Sequence, residues 1–484
     1  MKTIFERSRA DGPTDIVTGA IDAVRPAAWI EEDLLRGEAP RIPTVSEPVV
    51  VRHYTELSKA NFGVDDGLYP LGSCTMKYNP KINEVLAELP GFAELHPLVD
   101  PSLAQGALRL LAELSEHLAG IAGLPAVSLQ PVAGAHGELT GLLLFRRHFE
   151  ARGETSRTRI LLPDSAHGTN PASASVAGFT VDEIPSDDRG MVDVEALRST
   201  LDETVAGIML TVPNTLGIFE ERILEITEAV HAAGGLCYFD GANLNAFLGR
   251  ARPGDMGADV FHFNLHKTLS TPHGGGGPGA GPIAVAGGLE AYLPVPRIVR
   301  VENGFDLEWD RPRSIGSVQS FYGNVLVAVK AFAYLLRLGD DGLREAGEIA
   351  VLNANYLQAR LKETFQLPYG GLCKHEFVLS AKGLPSEITA LDVAKRLIDL
   401  GIHPPTVYFP LIVREALMIE PTETETKESL DRFVDAMRQI ADEAESDPDL
   451  LRSAPHVAPV RRLDQTRAAR DPVLTYDLKA PRGT

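Results

Sequence analysis

Cysteine is scarce: Cys74, Cys237 and Cys373 are the only three in 484 residues. They are widely separated, form no C-x-x-C pair and are too few for a disulfide framework. A reducing cytoplasm fits this usage, with Cys237 read as a buried thiol. Long apolar runs are also missing, and none approaches the length of a membrane span. The opening MKTIFERSRADGPTD has charges but no apolar segment of the kind a secretory signal needs. Positive charge is in short supply: 46 Lys and Arg stand against 66 Asp and Glu, a net charge of −20. Such a balance argues against a nucleic-acid backbone as partner. An anionic ligand would have to be held by backbone amides and a few local cations. The chain lacks the G-x-x-x-x-G-K-[ST] loop of nucleoside triphosphate sites. His262, His266 and His273 make no zinc pattern with Cys237, and Lys267 in their midst would repel an ion, so no metal is expected.

What is present is apolar content of 44%, enough for a large core, in a chain long enough for two domains or more. The chain is organised around Leu236 to Pro282. The run Leu236 to Phe239 has the make-up of a buried strand and ends at Asp240. A second strand is expected over Asp259 to Asn264, with Lys267 just beyond it. The interval between Asp240 and Lys267 leaves room for a crossover and the next strand. Open α/β sheets bind ligands at the carboxyl ends of their strands. A lysine and a carboxylate placed there suit pyridoxal phosphate: the amine forms a Schiff base with its aldehyde, and the carboxylate keeps the pyridine nitrogen protonated. Taken alone, such an Asp also serves as a helix cap and such a Lys as a surface charge. The glycine run Gly274 to Gly279 contains a literal G-x-G-x-x-G, but Pro278 interrupts it and a strand-like segment (Ile283 to Ala286) follows, so it reads equally as a linker.

The N-terminal stretch to about residue 60 is rich in proline and charge. It is expected to pack on another subunit, given Trp29, Ile30, Leu34 and Leu35, rather than to be disordered. Asp100-Pro101 starts a helix that runs with helical apolar spacing to Ile121 and ends at Gly123. Strands are expected at Val127–Gln130, Arg159–Leu162, Thr180–Ile184 and Val205–Val212, with a helix from about Glu220 to Ala233. The alternation predicts a mostly parallel sheet with helices on both faces. The small-residue turn VAGAHG opens a helix, whose free N–H groups and dipole make Gly134, Ala135 and His136 candidates for the cofactor phosphate. Thr215 follows another strand on the ligand side. Beyond Asp306, the polar stretch with Arg311 and Arg313 reads as an exposed connection or subunit contact. Helices are expected at Val325–Leu338 and Gly342–Thr364, and a strand at His375–Ser380. His403 to Leu411 is too proline-rich for a central strand. The tail from Pro459 reads as an extended strap.

The segments NLHKTLSTPHGGGGPGAGP, YFDGANLNAF, PDSAHGTNPAS, QPVAGAHGELTG and YPLGSCTMKYNP resemble, each in the expected order, the glycine decarboxylase family, the P-protein of the glycine cleavage system. The similarity runs from VRHYTELS to VYFPLIVREALMIEPTETE. It is to the shorter, second subunit of the two-subunit form, which corresponds to the C-terminal half of the single-chain form. The resemblance implies an α/β fold of the aspartate-aminotransferase type (fold type I). The pattern along the chain divides it into an N-terminal arm (1–95), a large pyridoxal-phosphate domain (96–335) and a smaller C-terminal α+β domain with a tail (336–484). The resemblance implies Lys267, Asp240 and His167 as catalytic groups, with His167 stacked on the pyridine ring and Ala242, Thr215 and His266 joining the cofactor contacts. YPLGSCTMKYNP would lie near the site. The implied enzyme is a glycine dehydrogenase (aminomethyl-transferring), which releases CO2 from glycine and passes the aminomethyl group to the lipoyl arm of the H-protein. Lys267 and either His167 or His136 would move protons. A companion first subunit is implied, two copies of each forming a heterotetramer. Another fold-type-I enzyme (amino-acid decarboxylase or aminotransferase) and a non-catalytic cofactor-binding scaffold stand as alternatives. No arginine can be assigned to the glycine carboxylate.

Overall fold

A computed structural model describes residues 2–8, 30–37, 42–273 and 279–474. Trp29 and Gly274–Pro278, which carry two of the readings above, lie outside the described residues. The chain divides into two compact units, Met1–Gly63 with Pro455–Thr484, and Val64–Ala454.

The first unit holds the short helix Ile4–Arg7, closed by a Thr3–Glu6 capping box, and the longer helix Glu47–Ala60. Arg7 reaches Glu56 on that longer helix. The helix Glu47–Ala60 is an element that the sequence reading did not place. Its three consecutive valines and polar remainder carry no clean apolar stripe, but Pro48 at its start fits the first helical turn. The tail is not uniformly extended either, since Gln465–Arg470 is helical and capped by Asp464.

The second unit is built on a seven-stranded sheet of β1 (Ala126–Ser128), β2 (Arg159–Pro163), β3 (Thr180–Ile184), β4 (Val205–Thr211), β5 (Leu236–Gly241), β6 (Val260–Phe263) and β7 (Ile283–Val285). The spatial order is β1-β7-β6-β5-β4-β2-β3. Every neighbouring pair is parallel except those made by β7, which runs against both β1 and β6. Parallel strands covered on both faces are apolar throughout, and β4 is buried at all seven positions. Alternate residues serve the two faces. Leu161, Ile208, Leu210, Cys237 and Phe239 pack with Leu111, Leu114 and Leu118 of the helix Gln105–Ala122. Ile160, Leu162, Met209 and Tyr238 pack with Leu142, Phe145 and Phe149 of the helix Gly134–Ala151.

The helix expected from Asp100 begins later, at Gln105. Pro101–Leu103 forms a separate 3-10 turn, with the Asp100 side chain accepting from Ser102 N–H. Gly123, at φ 67°, ends the helix as expected. The two helices expected around residue 340 are both present within Val325–Leu361, separated by a break at Gly339, whose φ 61° and ψ −174° are not helical. Glycine supplies the positive φ that makes this break without a Cβ clash.

A hairpin of β8 (Arg297–Val301) and β9 (Gly304–Glu308) follows the large sheet. The last layer is a three-stranded antiparallel sheet of β10 (Phe377–Ser380), β11 (Thr406–Val407) and β12 (Ala416–Ile419), in the order β10-β12-β11. The proline-rich stretch supplies only the two-residue edge strand β11, as its prolines require. Helices Ala390–Asp399 and Lys427–Ser446 cover this sheet through Val393, Leu397, Phe433 and Met437. Among the described residues no helix is long and apolar enough to cross a membrane.

Candidate active site

Parallel pairing of β5 with β6 sets Asp240 opposite His262, so the carboxyl ends of both strands open on one edge of the sheet. Asp240 is 2% exposed. Its Oδ1 accepts from Ala242 N–H at 2.9 Å, and Thr211 Oγ1 donates to its Oδ2 at 3.4 Å. His262 Nε2 lies 3.3 Å from Oδ1, and His262 Nδ1 is 2.7 Å from the Tyr238 hydroxyl. Burial opposes the Asp240 charge, but His262, His167, Lys267 and the Ala242 N–H outweigh it and hold its carboxyl below the usual carboxylate range. A buried carboxylate kept ionised suits a cationic partner.

Lys267 lies past β6, 9% exposed, and its Nζ donates to the carbonyl of Ser73 at 2.8 Å. The YPLGSCTMKYNP loop therefore meets the lysine directly. Lys77 of the same loop is buried too: its Nζ bonds the carbonyl of Thr268 at 2.9 Å and Glu423 at 2.6 Å. The middle of the loop is thus tied to the lysine turn at two points, Ser73 and Lys77.

The helix Gly134–Ala151 follows β1 and has no side-chain cap at its start. The N–H groups of Gly134, Ala135 and His136 are left without intrahelical acceptors, an arrangement that takes an anion. Close packing fixes where this helix begins. A Cβ on Gly134 would come 2.4 Å from Asn264 Oδ1, and one on Gly137 would come 3.1 Å from His262 Cβ. Asn264 Oδ1 is itself buried with no hydrogen-bond partner, as are the hydroxyls of Thr268 and Thr271 beside the lysine. A phosphate cradle, an amine, an ionised carboxylate and unsatisfied buried polar atoms share one edge, and they fit pyridoxal phosphate.

His167 sits in the loop after β2. Its Nδ1 is 2.9 Å from Thr169 Oγ1, and that hydroxyl donates to Glu138 Oε1 at 2.8 Å. Burial drives the His167 pKa down, with the Lys267 charge adding and Asp240 opposing. His266 accepts from Ala280 N–H through Nδ1, and burial with the nearby Lys267 and His273 pushes its pKa down to about 3. It is a neutral ring at any working pH. The Thr215 hydroxyl donates to the carbonyl of Ser165 at 2.6 Å, tying down the loop that carries His167.

Sequence reasoning missed Glu138. Burial and the Asp240 charge push its pKa up to about 7, against the hydroxyls of Thr169 and Ser173. The available signal was one acidic residue in an otherwise small and apolar helical face, with Gly137, Thr140 and Gly141 buried around it. It also missed Glu376 and Glu420, both fully buried.

Residues 346–456 match the family described as "Glycine dehydrogenase, C-terminal domain", and residues 153–276 match "Aminotransferase class-V". The chain is 56% identical over 478 residues to the "probable glycine dehydrogenase (decarboxylating) subunit 2" of Kosmotoga olearia, covering 98% of this chain and 99% of that protein. It is 57% identical over 448 residues to the protein of the same description from Caldanaerobacter subterraneus, covering 92% of each. The chain belongs to the glycine dehydrogenase (decarboxylating) subunit 2 family. The fold of this family member is also that of a glycine decarboxylase (P-protein) crystal structure in inhibitor-bound form, at a TM-score of 0.73 and 22% identity, covering 85% of this chain and 94% of that one. A cysteine desulfurase from Thermococcus onnurineus matches at a TM-score of 0.62 and 16% identity, covering 78% and 95%. The large sheet with its single antiparallel strand and the added three-stranded layer form the fold-type-I architecture that these enzymes share.

Proposed function

We propose that this chain is the pyridoxal-phosphate-bearing subunit of a glycine dehydrogenase (decarboxylating), that it acts on glycine with a lipoylated H-protein as acceptor, and that it works beside a companion first subunit in a two-plus-two heterotetramer. The observation that carries the reading is the convergence of Lys267, the ionised Asp240 and the uncapped start of the helix Gly134–Ala151 on one sheet edge, in a chain 56% identical to a protein described as subunit 2 of this enzyme.

Pyridoxal phosphate, when bound, supplies an aldehyde for an amine and a ring that accepts the electron pair left when glycine loses CO2. Lys267 holds the cofactor through Nζ and afterwards moves protons at that atom. Asp240 keeps a proton on the ring nitrogen; its burial makes that electrostatic contribution large. The N–H groups of Gly134, Ala135 and His136 take the phosphate, and Ala242 orients Asp240. His167 would contact the cofactor ring and, with Nδ1 engaged by Thr169, would act through Nε2. His266 contributes a neutral ring and Thr215 fixes the His167 loop. The chain works as an arm (1–95), a cofactor domain (96–335) and a small domain with a tail (336–484), the last boundary falling near the break at Gly339. Three free thiols fit the cytoplasm.

The test is exchange of labelled bicarbonate into the glycine carboxyl by the chain together with its companion subunit and lipoylated H-protein. Exchange that depends on all three and is lost in Lys267→Ala supports the reading. Exchange that persists in Lys267→Ala contradicts it.

A further inference from the structure

Two carboxylates with no part in the chemistry above lie fully buried beside the lysine. The small sheet brings them together. β10 pairs with β12 in the register Phe377↔Ile419, so Glu376, just before β10, and Glu420, just after β12, emerge side by side. Neither is exposed, nor is His375, whose Nε2 lies 3.6 Å from Glu376 and 4.0 Å from Glu420. Placing two carboxylates this deep is costly unless donors meet them.

The donors come from the loop that touches Lys267. Backbone contacts first pin the loop to the end of β12: Gly72 N–H donates to the Met418 carbonyl, and Glu420 N–H donates to that of Pro70. Gly72 is required there, because a Cβ would come 2.7 Å from the Met418 carbonyl oxygen. Ser73 N–H then donates to Glu376 Oε2 at 2.6 Å. Thr75 donates to Glu420 twice, N–H to Oε2 at 2.9 Å and Oγ1 to Oε1 at 2.6 Å. Ser73 and Thr75 both have left-handed backbone, at φ 63° and 48°, a conformation non-glycine residues hold only when their surroundings impose it. Between the two gripped N–H groups, the carbonyl of Ser73 points to Lys267 Nζ.

We propose that Glu376 and Glu420 are positioning residues for Lys267: they hold the Ser73–Thr75 backbone in its strained shape, so that the Ser73 carbonyl aims the lysine amine. The inference rests on the reading of Lys267 as the cofactor-bearing lysine. The two carboxylates play different parts. Glu420 takes donors on both oxygens, Thr75 N–H on Oε2 and both Thr75 Oγ1 and Asn245 Nδ2 on Oε1. Burial and the neighbouring Glu420 push the Glu376 pKa far up, against the Ser73 N–H and Lys267, so Glu376 favours its protonated form, with one short bond accepted from Ser73 N–H at 2.6 Å and a long one from Asn243 Nδ2 at 3.5 Å. Glutamine can imitate a protonated Glu376 but not a Glu420 that accepts on both sides.

The experiment is covalent trapping of pyridoxal phosphate on the full-length chain with borohydride. The rate of labelling of the Lys267 peptide is read by mass spectrometry, and cooperative melting is recorded for each variant. Glu420→Gln is expected to label at least about tenfold more slowly than wild type, the scale of a buried donor left without its acceptor. Glu376→Ala is expected to be slowed similarly, and Glu376→Gln to restore most of the rate. Labelling of Glu420→Gln at the wild-type rate overturns the proposal, as does equal slowing by Glu376→Gln and Glu376→Ala. If Glu420→Gln does not melt cooperatively, Thr75→Val decides: it removes only the hydroxyl bond and must slow labelling, and a wild-type rate overturns the proposal. Wild-type protein that takes no label at Lys267 instead removes the reading of the lysine itself, which separates the two failures.

Discussion

The Thr169 hydroxyl joins His167 to Glu138, lying 2.9 Å from the ring Nδ1 and donating to the carboxyl at 2.8 Å. A buried acid thus sets the orientation of the histidine through one intermediary. With its pKa raised to about 7 from 4.5, Glu138 keeps its proton in the native state while the unfolded chain has lost it. Between those two values the native state binds more protons, so this group's contribution to stability is fully present below about pH 4.5 and is lost as pH rises through about 7. Glu138→Gln is expected to flatten the fall in denaturation midpoint across that window. An unchanged slope would remove Glu138 as its source. Thr169→Val, which unties His167, is expected to lower kcat by roughly tenfold with KM little changed, as steady-state assays with glycine would show.

Two glycines in helices make opposite predictions. Gly134→Ala drives a methyl against Asn264 Oδ1 at 2.4 Å and displaces the start of the phosphate cradle. Pyridoxal phosphate affinity, read by equilibrium titration, is expected to weaken by about tenfold or more, the scale of a lost charge-assisted hydrogen bond. Gly120 lies in the helix Gln105–Ala122, and a methyl added there would meet nothing within 4 Å. Gly120→Ala is expected to raise stability by about 0.5–1 kcal/mol by restricting the unfolded chain, with cofactor affinity unchanged. Chemical denaturation measures this.

Lys77 and Glu423 form an ion pair at 2.6 Å, with Lys77 buried and the Glu423 side chain only 9% exposed. Removing one member leaves the other charged and unpaired. Lys77→Met is expected to cost about 3–5 kcal/mol, and Lys77→Met with Glu423→Gln to recover part of that loss. Denaturant melts of the three proteins check it; a double variant no more stable than Lys77→Met contradicts the pairing.

The large sheet was legible in the sequence because parallel strands buried on both faces leave continuous apolar runs. Thr180–Ile184 was placed to the residue, and the ends of β4 and β6 fell within one residue of expectation. Asp240 and Lys267 were legible because each follows such a run. Helix signals were weaker where polarity was mixed, as in Glu47–Ala60, and clear where a glycine interrupts two apolar helices, as at Gly339. Glu376 and Glu420 were not legible. Each is one acid flanking a short apolar strand, and its partners Ser73 and Thr75 lie more than 300 residues away. Only the β10–β12 register brings them into one place.

Whether Lys267 carries the cofactor is read from the visible absorbance spectrum of the purified chain with pyridoxal phosphate, before and after addition of glycine and of larger amino acids. A bound-cofactor band is expected that Lys267→Ala lacks and that glycine perturbs in preference to larger substrates. A chain that yields no band and no borohydride-trapped cofactor, or a Lys267→Ala variant whose band matches wild type, would contradict the cofactor-bearing role of Lys267.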